Sequence, residues 1–365
     1  MVEYVVIFLS LFIISLVFYL LYDRYFRTQK RTESAVYVEA LQDLLDGKQE
    51  SAFTKLRQVV TEDSTNVDAY LRLGNILRKN KRPDRALQVH KDLTLRGALG
   101  EREKTEILRQ LYYDYYDLED FDMAQAALKE VISLDSRNRW AFVKLLELQQ
   151  KKQDWDEAYD TAATLLKLES NKSKKPLAVF KCHMAEQLLK KREYHKARIL
   201  FKEALGLDPT YVPAYLAIGD SYCEEKRFED AVNFWNKLIE AVPSQGHLVI
   251  DRLKRTLFDI GRFGDIARIC QDILTHSPKN VEARCCLAEF YEKKGDLDAA
   301  EEILVELVED APGESRHAME LIRLYLDKGD TKNVYELLRR IERKREERSS
   351  RTGDELADTN AIGIQ

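Results

Sequence analysis

The feature that most constrains what this 365-residue chain can fold into is a helical hairpin that recurs. In the stretch from Val212 to Tyr222, Tyr215, Ile218, Gly219 and Tyr222 fall at i, i+3, i+4 and i+7. That spacing makes one apolar helical face, with a glycine where a partner helix comes close. A second helix answers with Ala231, Trp235 and Leu238 before Pro243 ends it. The small residue of this second helix recurs as Ala52, Ala86, Ala124, Ala158, Ala197, Ala231, Ile266, Ala300 and Val334, at intervals of 34, 38, 34, 39, 34, 35, 34 and 34. Four positions later stands a large apolar residue at Leu56, Leu128, Phe201, Trp235 and Leu304, with His90, Ala162 and Cys270 as weaker matches. Pro209, Pro243, Pro278 and Pro312 each close a repeat. The two long intervals mark insertions at 95–104 and 171–176.

A unit of this length cannot bury its apolar face alone and must stack on its neighbours. The pattern resembles the tetratricopeptide repeat. It predicts an all-α fold, a right-handed superhelical solenoid of about nine helical hairpins over residues 34–346, with Gly74 and Gly219 at helix crossings. Residues 347–365 read as a disordered tail. With 58 basic against 63 acidic residues the net charge is −5, so no global field draws the chain to nucleic acid. Binding must come from local surfaces.

Ahead of the repeats, residues 4–22 are nineteen positions without a charge, long enough to cross most of a hydrocarbon core about 30 Å thick. Residues 1–3 precede them, and a basic linker over 23–33 follows with Arg24, Arg27, Lys30 and Arg31. The charge follows the apolar run and no small-x-small site comes after it, which predicts an uncleaved single-pass transmembrane helix. By the positive-inside rule, residues 1–3 are periplasmic and the repeats face the cytoplasm of a bacterial inner membrane.

Catalytic chemistry is not legible. The six histidines are scattered, and the chain contains no H-E-x-x-H, G-x-x-x-x-G-K-[ST] or G-x-S-x-G. His90 and His183 read as structural histidines. Cys182, Cys223, Cys270, Cys285 and Cys286 fall at mostly core-like helical positions without a C-x-x-C pair, as reduced packing residues do. No enzyme, cofactor or metal site is expected.

Binding is expected on the wall formed by the first helices, a surface not consumed by packing. In repeats two to four its non-core positions supply Arg72, Asn75, Arg78, Lys79, Arg109, Tyr113, Tyr116, Lys144 and Glu147. Basic residues interleaved with tyrosines suit a protein segment carrying carboxylates and apolar side chains. A merely solvated face is the alternative. Repeats six and seven are more mixed, with Asp220, Glu224, Asp251, Arg252 and Arg255. The carboxylate clamp of cochaperones is matched by Gly74-Asn75, but Leu71 stands where that clamp has a lysine.

Residues 1 to about 130 carry a more specific resemblance. The anchor with its basic flank, Tyr37-Val38, Leu44-Leu45, Gly74-Asn75, the run from Arg85 to His90, Leu95-Arg96-Gly97-Ala98-Leu99 and Asp114-Tyr115 together resemble the lipopolysaccharide assembly protein B family of Gram-negative bacteria. The resemblance implies an inner-membrane, cytoplasm-facing adaptor that couples a lipid A biosynthetic deacetylase to a membrane-bound AAA protease and restrains lipopolysaccharide synthesis. That family also carries a rubredoxin-like metal knuckle with two C-x-x-C pairs, which this sequence does not contain. A structural scaffold for another envelope assembly, secretion or polysaccharide export complex stands as the alternative function.

Overall fold

In the computed structural model of the protein, residues 15–19, 35–96, 99–310 and 315–343 are described. From residue 35 on, they form helices joined by short turns, in two compact units divided at Lys172 and Ser173. The first unit holds α1 (35–45), α2 (Gln49–Glu62), α3 (Val67–Lys79), α4 (Pro83–Thr94), α5 (Glu101–Asp117), α6 (Phe121–Leu134), α7 (Arg139–Lys152) and α8 (Trp155–Leu168). The second holds α9 (Ala178–Lys190), α10 (Tyr194–Leu207), α11 (Val212–Glu224), α12 (Phe228–Ala241), α13 (Ile250–Asp259), α14 (Asp265–His276), α15 (Val281–Lys294), α16 (Leu297–Asp310), α17 (Ser315–Asp327) and α18 (331–343). Taken in order, the described helices pair as four hairpins and then five. The total matches the nine repeats of the sequence.

All nine small anchors lie in second helices and are buried, from Ala52 to Val334. In hairpins two and six the residue four positions later packs against a glycine of the first helix of the same hairpin. A Cβ added to Gly219 would lie 2.1 Å from Nε1 of Trp235, and one added to Gly74 would lie 2.2 Å from Nε2 of His90. Both glycines therefore sit where the sequence predicts helix crossings, and each admits one large side chain. Trp235 is 1% exposed, and its indole N–H has no hydrogen-bond partner. Its apolar burial outweighs that unmet donor.

Turn chemistry repeats with the same register. One residue in the left-handed region closes each hairpin turn: Gly47, Lys81, Glu119, Gln153, Arg192, Lys226, Gly261, Gly295 and Gly329. Their spacing reproduces the interval series of the anchors. Between hairpins, the side chains of Asp63, Asp135 and Asp208 accept from the backbone N–H two residues on, at 2.9 to 3.0 Å. Asn66, Asn138 and Asn280 then cap α3, α7 and α15 by accepting from the backbone N–H three residues on.

Both insertions become local adjustments. The first lengthens α5 at its N-terminus, where the Gly100 N–H donates to Glu103 at 2.9 Å. The second becomes a turn followed by a 3-10 segment, Lys175–Leu177. Hairpin seven departs from the pattern more strongly: α13 has only ten residues because Pro243–Val249 runs as a 3-10 helix. Gly246 fits there against Ile239 and Ile273, at 3.1 to 3.4 Å from where a Cβ would stand.

Hairpins two and three are joined by a buried polar knot. Asp114 of α5 is fully buried and accepts from Arg78 Nη1 of α3 at 2.8 Å, while His90 of α4 places its Nδ1 on the second carboxylate oxygen. The other ring nitrogen of His90 lies 3.3 Å from the Leu71 carbonyl. His90 is thus a packed, hydrogen-bonded residue of the hairpin-two crossing.

Of the expected membrane anchor at 4–22, only 15–19 are described, as a helical run with Leu16, Val17, Phe18 and Tyr19 exposed. Among the described residues no helix is long and apolar enough to cross a membrane. The rest of the anchor, residues 1–3, the linker at 23–33, Pro312 and the tail at 347–365 lie outside the described residues.

Two substitutions test this packing. Gly219→Leu forces a branched side chain onto Trp235 and is expected to cost about 1–3 kcal/mol; a melting temperature equal to wild type would refute the crossing. Asp114→Ala leaves Arg78 and His90 facing an empty acceptor, with an expected loss of about 3–5 kcal/mol in urea unfolding. A loss no greater than that of an exposed helix carboxylate such as Glu302→Ala would show that the knot is not buried in solution.

Candidate protein-binding wall

The expected wall residues lie on α3, α5 and α7 of the first unit, and the structure divides them by what already holds them. Arg78 is consumed internally. Besides Asp114, it donates to the Gln110 carbonyl at 3.3 Å and, through Nη2, to Asn75 Oδ1 at 2.7 Å and Gln110 Oε1 at 2.9 Å. A planar guanidinium with four of its hydrogen bonds fixed is a positioning element rather than a free contact. Arg72 is held by Asp68 at 2.6 Å and by the Tyr37 hydroxyl at 3.3 Å. Lys144 pairs with Glu147 at 2.7 Å, and that hydrogen bond raises the lysine pKa above its ordinary value.

Arg109 and the tyrosines form a different kind of surface. The Arg109 guanidinium lies 4.5 Å over the Trp140 ring and reaches Glu106 at 3.3 Å. Trp140 meets Tyr112 edge-on at 5.7 Å and Tyr113 at 6.0 Å. Tyr112 also contacts Tyr113 at 5.0 Å and Tyr116 at 5.9 Å. Burial pushes the Tyr112 hydroxyl well above the ordinary tyrosine range, so it stays protonated. Lys151 lies 4.5 Å over Tyr116 and donates to its hydroxyl at 3.2 Å, while Arg78 lies 5.2 Å over Tyr113. Tyr113 and Tyr116 are each half-buried, so their outer edges remain in solvent.

Next to this surface, a cavity of about 450 Å³ opens between α3 and α5, lined by Asp68, Leu71, Arg72, Asn75, Arg102 and Glu106 among others. Most bases of the wall already have acids. Among the described residues, Lys79, Arg102 and Lys151 have no ion pair, and neither has Glu103, which lines the cavity beside Arg102. Together these groups offer rigid aromatic edges for apolar contact and unpaired cations for carboxylates.

Trp140 and Lys151 are functional candidates that the sequence reading missed. Trp140 occupies the register of Asp68 and Glu106 in the preceding first helices, and Lys151 that of Lys79 and Asp117. Following the non-core register along the whole of α7, beyond Lys144 and Glu147, would have found both.

The cysteines are all free. Burial pushes the Cys182 thiol up to about 12 and that of Cys285 up to about 11, which leaves both protonated and unreactive at neutral pH. Among the described residues no group of His, Cys, Asp or Glu converges to hold a metal ion.

Comparison with known proteins agrees with this architecture. Tetratricopeptide-repeat family profiles match residues 257–320, 213–244 and 115–138. Lipopolysaccharide assembly protein B of Escherichia coli K12 is 23% identical over 265 residues, which cover 73% of this chain and 68% of that protein. The protein of the same name from Haemophilus influenzae is 25% identical over 244 residues, or 66% of this chain and 60% of that one. Among solved structures, a tetratricopeptide repeat protein from Parabacteroides merdae superposes with a TM-score of 0.36 at 12% identity, covering 81% of this chain and 99% of its own. This chain therefore carries sequences matching tetratricopeptide repeats over those three stretches and is similar in sequence to proteins named lipopolysaccharide assembly protein B.

Proposed function

We propose that this protein is an adaptor acting in lipopolysaccharide assembly at the bacterial envelope, and that the wall of α3, α5 and α7 holds an acidic, partly apolar segment of a partner protein. The observation that carries this reading is the aromatic patch of Tyr113, Tyr116 and Trp140, crossed by fixed cations and rimmed by the unpaired Lys79, Arg102 and Lys151. Residues 4–22 tether the repeats to the inner membrane on its cytoplasmic side. Tethering raises the effective concentration of the wall toward membrane-bound partners without any new contact. The partners implied by the resemblance are a lipid A deacetylase and a membrane-bound AAA protease.

The full-length chain, captured from detergent-solubilised membranes, is expected to retain the deacetylase. Binding kinetics then separate the two components of the wall. Arg109→Glu should slow association and flatten its salt dependence, because a charge that steers the encounter is what salt screens. Tyr113→Ala should mainly speed dissociation, because a half-buried ring contributes contact area lost only when the complex opens. Glu302→Lys serves as the control, since Glu302 is exposed on the second helix α16, whereas neighbouring Glu301 is tied to Lys328. A control that weakens binding as much as the wall variants would place the partner elsewhere.

Topology is tested separately. In spheroplasts, protease added from the periplasmic side should leave the repeats intact, and their digestion would reverse the orientation.

A further inference from the structure

The second unit contains a cavity of about 590 Å³ along its own first helices α13, α15 and α17. Its charges sort into spent and unspent groups. Every lysine and arginine in its lining already sits on a carboxylate. Lys254 pairs with Glu289, Lys293 also with Glu289 at 2.9 Å, Arg323 with Glu292 at 2.8 Å and Arg316 with Glu320 at 3.6 Å. Three lining carboxylates are left without an ion pair among the described residues, one on each helix: Asp251 on α13, Glu282 on α15 and Asp327 on α17. All three are exposed.

Apolar side chains flank the same line. Phe258, 73% exposed, lies one turn beyond Lys254 on the same face of α13, and it leads through Phe263 at 6.5 Å to Phe290 at 5.9 Å. On α17, Met319 and Leu326 are 62% and 57% exposed, each next in sequence to a residue of the cavity lining, Glu320 and Asp327. These side chains place exposed apolar area beside the cavity, the composition that a contact surface uses.

We propose that this cavity is a second protein-binding site, whose occupant is a basic, partly apolar segment of a partner protein. Its lysines or arginines meet Asp251, Glu282 and Asp327, while its apolar side chains cover Phe258, Met319 and Leu326. Charge complementarity selects this occupant. With all lining cations neutralised by neighbours, the free charge of the cavity is negative, opposite to that of the α3, α5 and α7 wall. The site stands independently of the wall in the first unit, so either can fail without the other.

The test uses the full-length protein and a fluorescein-labelled model helix with lysines on one face and leucines on the other, read by anisotropy. The double variant Glu282→Lys, Asp327→Lys should weaken binding by about tenfold or more, with a shallower salt dependence of what remains. Met319→Ser should weaken it by about fivefold, and a helix with glutamates in place of the lysines should not bind this site. Tyr113→Ala and Arg109→Glu should leave the affinity unchanged. The proposal is overturned if the lysine helix does not bind, if Glu302→Lys weakens it as much as the double variant, or if Met319→Ser has no effect while spermine competes fully. That last outcome would make the carboxylates a plain acidic surface.

Discussion

The structure rests on one recurring contact, the insertion of a side chain from each second helix into the first helix of its own hairpin. The two positions are linked by volume. Twelve residues before each anchor stands the first-helix residue, and four after it stands the second-helix residue. Gly219 meets Trp235 and Gly74 meets His90. In the same register Ala185 corresponds to Phe201 and Ala288 to Leu304, whereas Leu146 corresponds to Ala162. At these five hairpins small stands with large in either order, whereas Tyr112 with Leu128 and Ile322 with Leu338 put two large residues at the same pair of positions. Interiors packed to crystal-like density tolerate that exchange because the sum is conserved, not the identity of either partner. This explains why a chain whose repeats differ so much in sequence keeps one hairpin geometry.

Once each hairpin is fixed, the contacts between hairpins are free to vary, and there the two units use different chemistry. The first unit joins hairpins two and three through the buried carboxylate of Asp114, held by Arg78 and His90. A buried ion network contributes little net stability compared with apolar packing, but a misregistered hairpin would leave its charge unpaired. In the second unit, hairpins five to eight share one continuous apolar cluster that includes Trp235, Leu257 and Ile273. The polar knot has a further consequence at the surface. It locks Arg78 in a plane beside Tyr113 and thereby helps hold the aromatic patch rigid, which lowers the ordering cost of any contact made there.

How much of this was legible in the sequence follows from what each signal depends on. The nine anchors and the packed cysteines were legible because burial at a fixed period leaves a periodic residue choice. The helix-crossing role of Gly74 was legible too, though not the Asp114 knot beneath it, since three residues 78, 90 and 114 have no common period. Among wall residues, register placed Arg72, Asn75, Arg78, Lys79, Arg109, Tyr113, Tyr116, Lys144 and Glu147 on first helices, but register does not say which charges are already neutralised. Arg78 and Lys144 were counted as offered charge, and the structure shows both engaged by neighbours. The shortened α13 escaped notice for a related reason. A 3-10 segment around Gly246 preserves the apolar register of the following helix while changing its length.

The distinction between charge present and charge unspent also bears on what an adaptor of this type must do. Many side-chain charges on the described repeats find partners within the chain, often one hairpin away, as Arg252 does with Asp220 and Lys328 with Asp298. Such exposed pairs contribute little to stability, but they withdraw the paired charges from contact with other proteins. A contact surface then needs no large excess of one sign. It needs only a few groups that the ladder of neighbouring helices leaves unmatched, set beside apolar side chains that water solvates poorly. On the first unit those groups are cations around an aromatic patch, and on the second they are carboxylates beside Phe258, Met319 and Leu326. Two surfaces of opposite residual sign on one chain disfavour each other's ligands by repulsion, so each can discriminate without a tight fit. Selectivity of that kind costs the fold nothing, because the unmatched groups sit at register positions the hairpin crossing does not use.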